Sequence, residues 1–327
     1  MRYLIINADG YGFTAGITRA IEECIAFGTV RSVSVNVNFS HAGQLARLVK
    51  RHPDLSVGCH INPVVGKPVL PPDQVRSLLD GNGDFLYRDF PRRFMSGSIR
   101  LDELRREMTA QVEKTRDLAG RSFSHVDFHA GYHRFPGIYR LFLEVAERAG
   151  VRRIRTHKYL VGMESQFPRL RHVRHLLARP TRLPKFVWNY GLRWGALRRG
   201  FAMPDRRVEI TEMVTRPGRI RVENYLTMLR NLPGGYNEFV AHPGYVDEEL
   251  KRWSSYVEPR ILELRALLDS AFRNALSDPS IQLAGYRDIS MRETRGRGLA
   301  RASSGGLARK STIPKEPLEH SLERKAR

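Results

Sequence analysis

Strand-like and helix-like segments alternate along the chain. Short runs of apolar or β-branched residues, typical of strands, occupy residues 3–8, 32–37, 55–61, 122–128, 151–155, 207–214, 236–241 and 281–284. Stretches whose apolar residues recur every three or four positions, typical of helices, occupy residues 16–27, 42–50, 101–118, 136–149, 221–229 and 258–276. This alternation predicts a parallel sheet of about seven strand–helix units, arranged either as a (β/α) barrel or as an open doubly wound sheet.

The chain is long enough to bury a large core. Its 327 residues suit one barrel-sized domain or two smaller ones, and a hydrophobic fraction of 41% is ordinary for a globular protein. No apolar run approaches the length of a membrane span, and the apolar start breaks at residues 7–9, too early for a signal peptide. Cys24 and Cys59 form no Cys-x-x-Cys pattern, so we expect a reducing, cytoplasmic setting.

The net charge of +21 is concentrated in two segments. Residues 152–207 carry fifteen Lys and Arg against two acids, and residues 292–327 carry ten against four. The rest of the chain is therefore nearly neutral, which disfavours nucleic acid as a partner of the whole fold. Residues 292–327 are rich in Gly, Ser, Arg and Lys without periodicity, so we predict a disordered basic tail there.

Aromatic and basic residues are interleaved within a basic insertion at about residues 158–206. The side chains concerned are Trp188, Tyr190, Trp194, Lys185, Arg193, Arg198 and Arg199. The first interpretation is a solvated lid or dimer arm that packs its aromatics on the barrel. A sugar-stacking wall of the substrate site and an interfacial patch on anionic lipid at the inner membrane face are alternatives. Single-stranded nucleic acid ranks last, because no strand-borne aromatic platform accompanies the basic residues.

Residues 124–136 gather several groups that can bind metals or move protons. His125, Asp127, His129 and His133 lie within nine residues, directly after a predicted strand. Alternation along the strand places the first three on one face. A polar face on a central strand is costly unless it lines a wet cavity or binds an ion. A turn with hydrogen-bonded histidines would explain any one of them, but the group together favours a metal or acid/base site.

Candidate groups also stand at the ends of other predicted strands. They are Asp9 after the first, His60 after the third, Asp127 and His129 after the fourth, and His242 near the end of the chain. Parallel α/β folds collect their chemistry at these carboxyl ends. Two imidazoles and a carboxylate can hold a divalent metal with room for water, with Asp9 as base and His242 as acid. The alternatives are a turn cap for Asp9, a core histidine for His60 and a His-Pro turn for His242.

Four motifs resemble those of the YdjC-like carbohydrate deacetylases (the ChbG/HpnK group). They are residues 6–12 (Ile-Asn-Ala-Asp-Gly-Tyr-Gly), 57–62 (Val-Gly-Cys-His-Ile-Asn), 125–129 (His-Val-Asp-Phe-His) and 238–245 (Glu-Phe-Val-Ala-His-Pro-Gly-Tyr). The resemblance implies a (β/α) barrel variant of the polysaccharide-deacetylase type, often paired as a dimer. It also implies metal-dependent removal of an N-acetyl group from an amino sugar. A lipid-linked glycan as substrate would suit the interfacial patch considered for the insertion. We place this domain at residues 1–291, including the insertion.

The resemblance assigns roles residue by residue. His60 and His129 match the family's metal-binding histidines, Asp9 matches the first aspartate of its catalytic pair, and His242 matches the histidine that protonates the leaving amine. The substrate-binding residues expected beside them are Asp127, His133, Arg155 and Tyr245. One divalent ion is implied. The family suggests magnesium, whereas two imidazole ligands favour zinc or another transition ion, and both remain open.

The chain departs from the family pattern at two positions. Gly10 stands where the family has the second aspartate of its pair, and Gly131 replaces one histidine of its histidine-rich run. Loss of an anionic ligand weakens metal binding, unless Asp9 takes the ligand role. A catalytically silent barrel that binds glycan is therefore the main alternative to a working deacetylase. A basic adaptor at membrane or nucleic acid is a weaker one.

Overall fold

The computed structural model describes residues 1–178 and 183–291, so the tail expected at residues 292–327 lies outside the described residues. Its strands are β1 (Arg2–Tyr11), β2 (Ser32–Val35), β3 (Ser56–Ile61), β4 (Phe123–Phe128), β5 (Tyr159–Val161), β6 (Arg206–Glu209), β7 (Gly235–Ala241) and β8 (Ile281–Ala284). Within this part of the chain they form one eight-stranded sheet.

The strands are all parallel and run in the order β4-β3-β2-β1-β7-β6-β5, with β8 beside the first half of β1. Single bridges from Val126 to Ile154 and from Arg153 to Ala202 continue the pairing beyond the β4 edge. The expected (β/α) barrel variant is confirmed. Because every strand runs the same way, the carboxyl ends of β1, β3, β4 and β7 meet at one face.

The helices that cover the sheet are α1 (Ala15–Phe27), α2 (Leu45–Arg51), α3 (Phe90–Met95), α4 (Leu101–Ala119), α5 (Pro136–Arg148), α6 (Pro168–Leu177), α7 (Leu183–Arg198), α8 (Thr211–Thr215), α9 (Val222–Arg230), α10 (Glu248–Trp253), α11 (Glu258–Leu267) and α12 (Ser270–Ala275). The boundaries of α1 follow from its caps. Thr14 Oγ1 accepts a hydrogen bond from the Ile17 amide, and Gly28, at φ +89°, donates to the carbonyls of Cys24 and Ile25.

Three of the expected elements differ from the structure. The strand expected at residues 207–214 ends at Glu209, and Thr211–Thr215 form α8 instead. The helix expected at residues 258–276 is broken into α11 and α12, because Asp269 accepts hydrogen bonds from the amides of Ala271 and Phe272 and starts a new helix. The strand expected at residues 151–155 is reduced to the single bridges at Arg153 and Ile154. The basic insertion holds β5, α6 and α7, of which the sequence pattern predicted none.

The main hydrophobic core joins the sheet to its helices, and a second, smaller cluster forms around Ile5 and Tyr286. The apolar face of α1 (Ile17, Ala20, Ile21, Cys24 and Ile25) is buried in the main core, as its spacing predicted. Cys24 and Cys59 are buried and free. Over the described residues, none of the helices combines the length and apolar character that crossing a bilayer requires.

Candidate active site

The predicted strand ends converge on one cavity of about 480 Å³. Of the eight residues singled out from the sequence, those that line it are Asp9, His60, His129, His133, Arg155 and His242. Asp127 lies just behind this wall, where it is fully buried. Tyr245 points elsewhere: its hydroxyl donates to Glu23 Oε2 (2.6 Å) and its ring lies under the Arg19 guanidinium.

Arg155 is the electrostatic centre of the site. Its Nη1 and Nη2 donate to the two oxygens of Asp9, each at 2.7 Å, and Nη2 also lies 2.6 Å from Asp127 Oδ2. Its Nε donates to Glu238 Oε1 at 2.8 Å. One buried guanidinium therefore binds three buried carboxylates, and the cluster depends on that single cation.

The two aspartates are held in the ionised form. Burial alone would raise the pKa of Asp9, but Arg155, helped by His60, holds it well below its usual value. The pKa of Asp127 is lowered against burial by the same two neighbours. Both groups are therefore carboxylates at neutral pH, although almost no water reaches them.

Asp127 orients His60 rather than facing the cavity. Its Oδ1 lies 2.7 Å from His60 Nδ1, and its Oδ2 accepts a hydrogen bond from Ser34 Oγ at 2.9 Å. Burial would lower the pKa of His60, but Asp127 and Asp9 raise it above the usual value. We expected Asp127 to bind substrate. In the structure its carboxylate contacts His60 and fixes the orientation of that imidazole.

His125 stands behind Asp127 and completes this support. Its Nε2 lies 3.3 Å from Ser34 Oγ, and its ring stacks on Tyr286 at 3.8 Å between centroids. The facing residue is Gly58, where any Cβ would overlap the His125 ring. The polar face predicted for β4 is therefore divided: His125 and Asp127 are buried behind the cavity, whereas His129 lines it.

Two imidazoles of the cavity are neutral. Burial lowers the pKa of both His129 and His242 well below the usual value. His242 Nε2 lies 3.9 Å from Asp9 Oδ2. Behind it, Glu263 of α11 accepts from the His242 backbone amide (2.8 Å) and from the Tyr256 hydroxyl (2.7 Å), and burial raises the pKa of Glu263 to about 7. No sequence pattern marks Glu263 as a site residue, because it lies in the middle of a helix-forming stretch.

The donor atoms around His60 fit a divalent metal ion. Atoms of Asp9, His60 and Asp127 lie within 4.8 Å of one another. A carboxylate on one ring nitrogen, as Asp127 is on His60 Nδ1, is the usual support for a histidine that binds metal through the other. His60 Nε2 and Asp9 Oδ2 are 4.0 Å apart, somewhat wider than the ~3.4 Å that two tetrahedral ligands adopt at bond lengths of about 2.1 Å, so the two side chains would have to close slightly around an ion. His129 lies beside them, with its ring centroid 5.2 Å from that of His60, but its nitrogens do not belong to this group of donor atoms.

Gly10 adopts a backbone conformation that favours glycine. The pairing of β1 with β2 passes from Asp9 to Tyr11, so Gly10 lies in a bulge, with φ at +104°. A Cβ there would have room, at 3.6 Å from Ile17 Cγ2, but the positive φ would strain it. An aspartate at this position would therefore require either strain or a different backbone path.

A basic compartment, formed by His133, Arg134, His157 and Arg207, lines another part of the same cavity. A buried nitrogen of each has no hydrogen-bond partner among the described residues. Arg207 is paired with Glu209, and burial lowers the pKa of both histidines, which are neutral. Because buried donors without partners are costly, this compartment is suited to polar groups of a bound molecule. His133 had been expected from the sequence, whereas the other three had not.

Comparisons with known proteins agree on one family. The model of the family described as YdjC-like protein matches residues 3–278 of this chain. The carbohydrate deacetylase of Thermoanaerobacter pseudethanolicus is 29% identical over 286 residues, covering 88% of this chain and 98% of that protein. The carbohydrate deacetylase of Geobacillus stearothermophilus is 28% identical over 293 residues, with coverages of 88% and 98%.

A solved structure shares the fold. It belongs to an Enterococcus faecalis V583 protein described as a candidate cellobiose-phosphate cleavage protein. The two chains superpose with a TM-score of 0.65 at 23% sequence identity, covering 87% of this chain and 97% of the other.

Proposed function

The chain belongs to the YdjC-like protein family. We propose that it is a carbohydrate deacetylase that hydrolyses the N-acetyl group of an amino sugar or glycan, as its relatives' descriptions suggest. The observation that carries the proposal is the convergence of Asp9, His60, His129 and His242 on one cavity. The carboxylate is held ionised there, while two of the imidazoles are held neutral. These are the groups that an amide hydrolysis needs for binding a metal and for moving protons.

His60 and His129 would hold one divalent ion, and Asp9 would serve either as a third ligand or as the base that accepts a proton from the water. Such an ion, when bound, supplies a Lewis acid for the acetamide carbonyl and lowers the pKa of a water molecule. The metal remains open between magnesium, which the family resemblance suggests, and zinc, which the imidazole ligands favour. Asp127 fixes the tautomer and orientation of His60 through its 2.7 Å contact with Nδ1.

Asp9 and His242 divide the movement of protons between them. Arg155 binds both oxygens of Asp9 and makes it a weak base, so Asp9 can accept a proton only from a water that is already acidified. His242, neutral in the free site, first takes up the proton that Asp9 has accepted from the water, and then delivers that proton to the departing nitrogen. The Asp9 carboxylate, 3.9 Å from His242 Nε2, stabilises the imidazolium form that this step requires.

The rest of the glycan binds in the basic compartment. The side chains of His133, Arg134 and Arg207 line this part of the cavity and can hydrogen-bond to the hydroxyl and ring oxygens of a sugar. Trp188, Tyr190 and Trp194 do not line the cavity, so we do not assign them to sugar stacking. A lipid-linked glycan is included in the proposed substrate class, because Trp188 Nε1 donates to the carbonyl of Arg134 and joins the insertion to the cavity wall.

Gly10 favours one alternative function, a barrel that binds glycan without hydrolysing it. The carboxylate that the family carries there is absent, and the φ of +104° suits glycine. The two functions differ in their need for metal. A silent binder need not take up a divalent ion, whereas the deacetylase must, and a titration with zinc or magnesium separates them.

The proposed function is tested by replacing His129. His129→Ala removes a cavity imidazole, and we expect acetate release from N-acetylated sugars to fall below detection while circular dichroism and the thermal midpoint stay near those of the unchanged protein. His41→Ala, which removes a surface histidine paired with Glu249, is the matched control and should keep full activity. Unchanged turnover in His129→Ala would rule out the scheme.

A further inference from the structure

The insertion turns apolar side chains toward solvent. Leu170, Val173 and Leu177 of α6 are exposed, at 56%, 48% and 68%, and Phe167 just before the helix is 67% exposed. Their spacing of three and four residues places the three helix residues on one face. A surface helix normally buries such a face against the core, whereas the apolar face of α6 points away from the core. Arg169 and Arg174 are exposed on the two flanks of this apolar face.

The neighbouring helix presents a second apolar face. Its exposed side chains are Val187, Trp188, Tyr190 and Trp194. The guanidinium of Arg198 lies 3.5 Å from the centre of the Trp194 ring. In the described part of the chain, eight of the thirteen exposed large hydrophobic residues fall between Phe167 and Trp194. We call this combined surface of α6 and α7 the insertion face.

The insertion face is held in a defined position. Phe186 packs between the rings of Tyr159 and His172, which joins α7 to α6 and β5. On the inner side of α7, the Tyr139 hydroxyl donates to the carbonyl of Leu192 at 2.9 Å. The inner sides of these helices are therefore packed against the rest of the fold, while the apolar side chains on their outer sides are exposed.

Charge decides which partner can cover this face. Residues 165–204 contain nine Lys and Arg and no Asp or Glu. A second copy of the same face would bring like charges together, which disfavours self-association. Nucleic acid would match the charge, but it offers nothing to exposed aliphatic side chains such as Leu170 and Val187. An anionic bilayer surface matches both features, because its headgroups attract arginines and its acyl boundary accepts aliphatic side chains, tryptophan and tyrosine.

We propose that the insertion face docks the protein on anionic lipid bilayers as a peripheral membrane protein. The apolar side chains enter the headgroup–acyl boundary, and the flanking arginines remain at the level of the lipid phosphates. Because Trp188 is hydrogen-bonded to Arg134 at the cavity wall, docking brings the cavity close to the bilayer surface. The docking is independent of the proposed hydrolysis, since none of its residues belongs to the metal-binding group.

The intrinsic tryptophan fluorescence of the protein can report this docking. Two of its three tryptophans, Trp188 and Trp194, lie on the insertion face, and the third is Trp253. In a Trp253→Phe background, adding vesicles of phosphatidylcholine and phosphatidylglycerol at about a 2:1 ratio should shift tryptophan emission to the blue, and brominated lipids should quench it. Vesicles of phosphatidylcholine alone should produce little of either effect.

Two double variants separate the apolar and electrostatic parts. Arg169→Gln with Arg174→Gln should weaken vesicle binding about thirty-fold, the loss expected when two cations leave an anionic surface. Leu170→Ser with Leu177→Ser should weaken it about ten-fold or more and abolish the part that persists in high salt. The matched controls are Arg216→Gln with Arg219→Gln and Met95→Ser with Val246→Ser, which change exposed residues elsewhere and should bind like the unchanged protein.

The outcomes are decisive in both directions. The proposal is overturned by absence of binding to the anionic vesicles, or if both double variants bind these vesicles as tightly as the unchanged protein does. Binding of a single-stranded oligonucleotide without any spectral shift on vesicles would replace the lipid with nucleic acid. A dimer that the Leu170→Ser, Leu177→Ser variant dissociates would replace it with a second copy. Acetate release from a water-soluble sugar is measured on the same variants. A variant that no longer binds vesicles but still releases acetate has lost docking and not hydrolysis.

Discussion

Removal of the single cation that binds three buried carboxylates should destabilise the protein strongly. In Arg155→Met the side chain keeps much of its length but loses its contacts with Asp9, Asp127 and Glu238, which measure 2.6–2.8 Å. Breaking a buried ion pair from one side costs about 3–5 kcal/mol, because the remaining charge is left without compensation. We therefore expect the free energy of unfolding at neutral pH, measured with urea, to fall by about that amount.

The pH dependence of this loss tests the electrostatic origin. In the unchanged protein the pKa of Asp9 and of Asp127 is lowered by Arg155, so their contribution is present above the unfolded value of about 3.9 and is lost as the pH falls through the folded value. Without Arg155, burial should raise both folded pKa values above the unfolded one. The variant should then become more stable as the pH falls from about 7 toward 5. The difference in unfolding free energy between the unchanged protein and the variant should therefore become smaller.

The control for this prediction is a surface arginine. Arg152→Met removes a partly exposed pair with Glu147 and should cost less than about 1 kcal/mol at any pH in this range. The reasoning would be refuted if Arg155→Met were as mild as the control, or if its deficit stayed constant or widened on acidification.

Three further substitutions test the support of the site. Gly58→Ala forces a methyl group into the ring of His125 and should lower the unfolding free energy by about 1–3 kcal/mol; a neutral result in urea unfolding would contradict the packing. Gly10→Ala places a side chain at φ +104° and should cost about 1–2 kcal/mol, whereas an unchanged thermal midpoint would remove the strain argument. Asp127→Asn should weaken zinc or magnesium binding by about 10–100-fold in calorimetry, since His60 loses its orienting carboxylate; equal affinity would exclude that role.

The convergence of the site was predictable from the sequence. Asp9, His60, His129 and His242 follow strand-like runs, and parallel strands bring their carboxyl ends to one face. The α1 helix was equally readable, because its apolar spacing and Gly28 are local features. These predictions succeeded because each depends on neighbours in the sequence and on one rule of topology.

The relations between distant residues were not predictable. The sequence marks Arg155 only as an arginine after a strand, whereas its bonds to Asp9 and Glu238 span 146 and 83 residues. His125 of β4 can lie behind the cavity because Gly58, on the neighbouring strand, has no side chain and leaves room for the His125 ring. The outward orientation of α6 was also hidden, because its apolar spacing would fit a buried face equally well.

Acetate release from N-acetylated amino sugars is the most direct test of the proposed deacetylase activity. The protein is treated with a chelator and assayed on soluble N-acetylated sugars with and without added divalent ions. We expect acetate release that chelation abolishes and that zinc or magnesium restores. A folded protein that binds the added metal and still releases no acetate from any of these sugars would contradict the proposed activity.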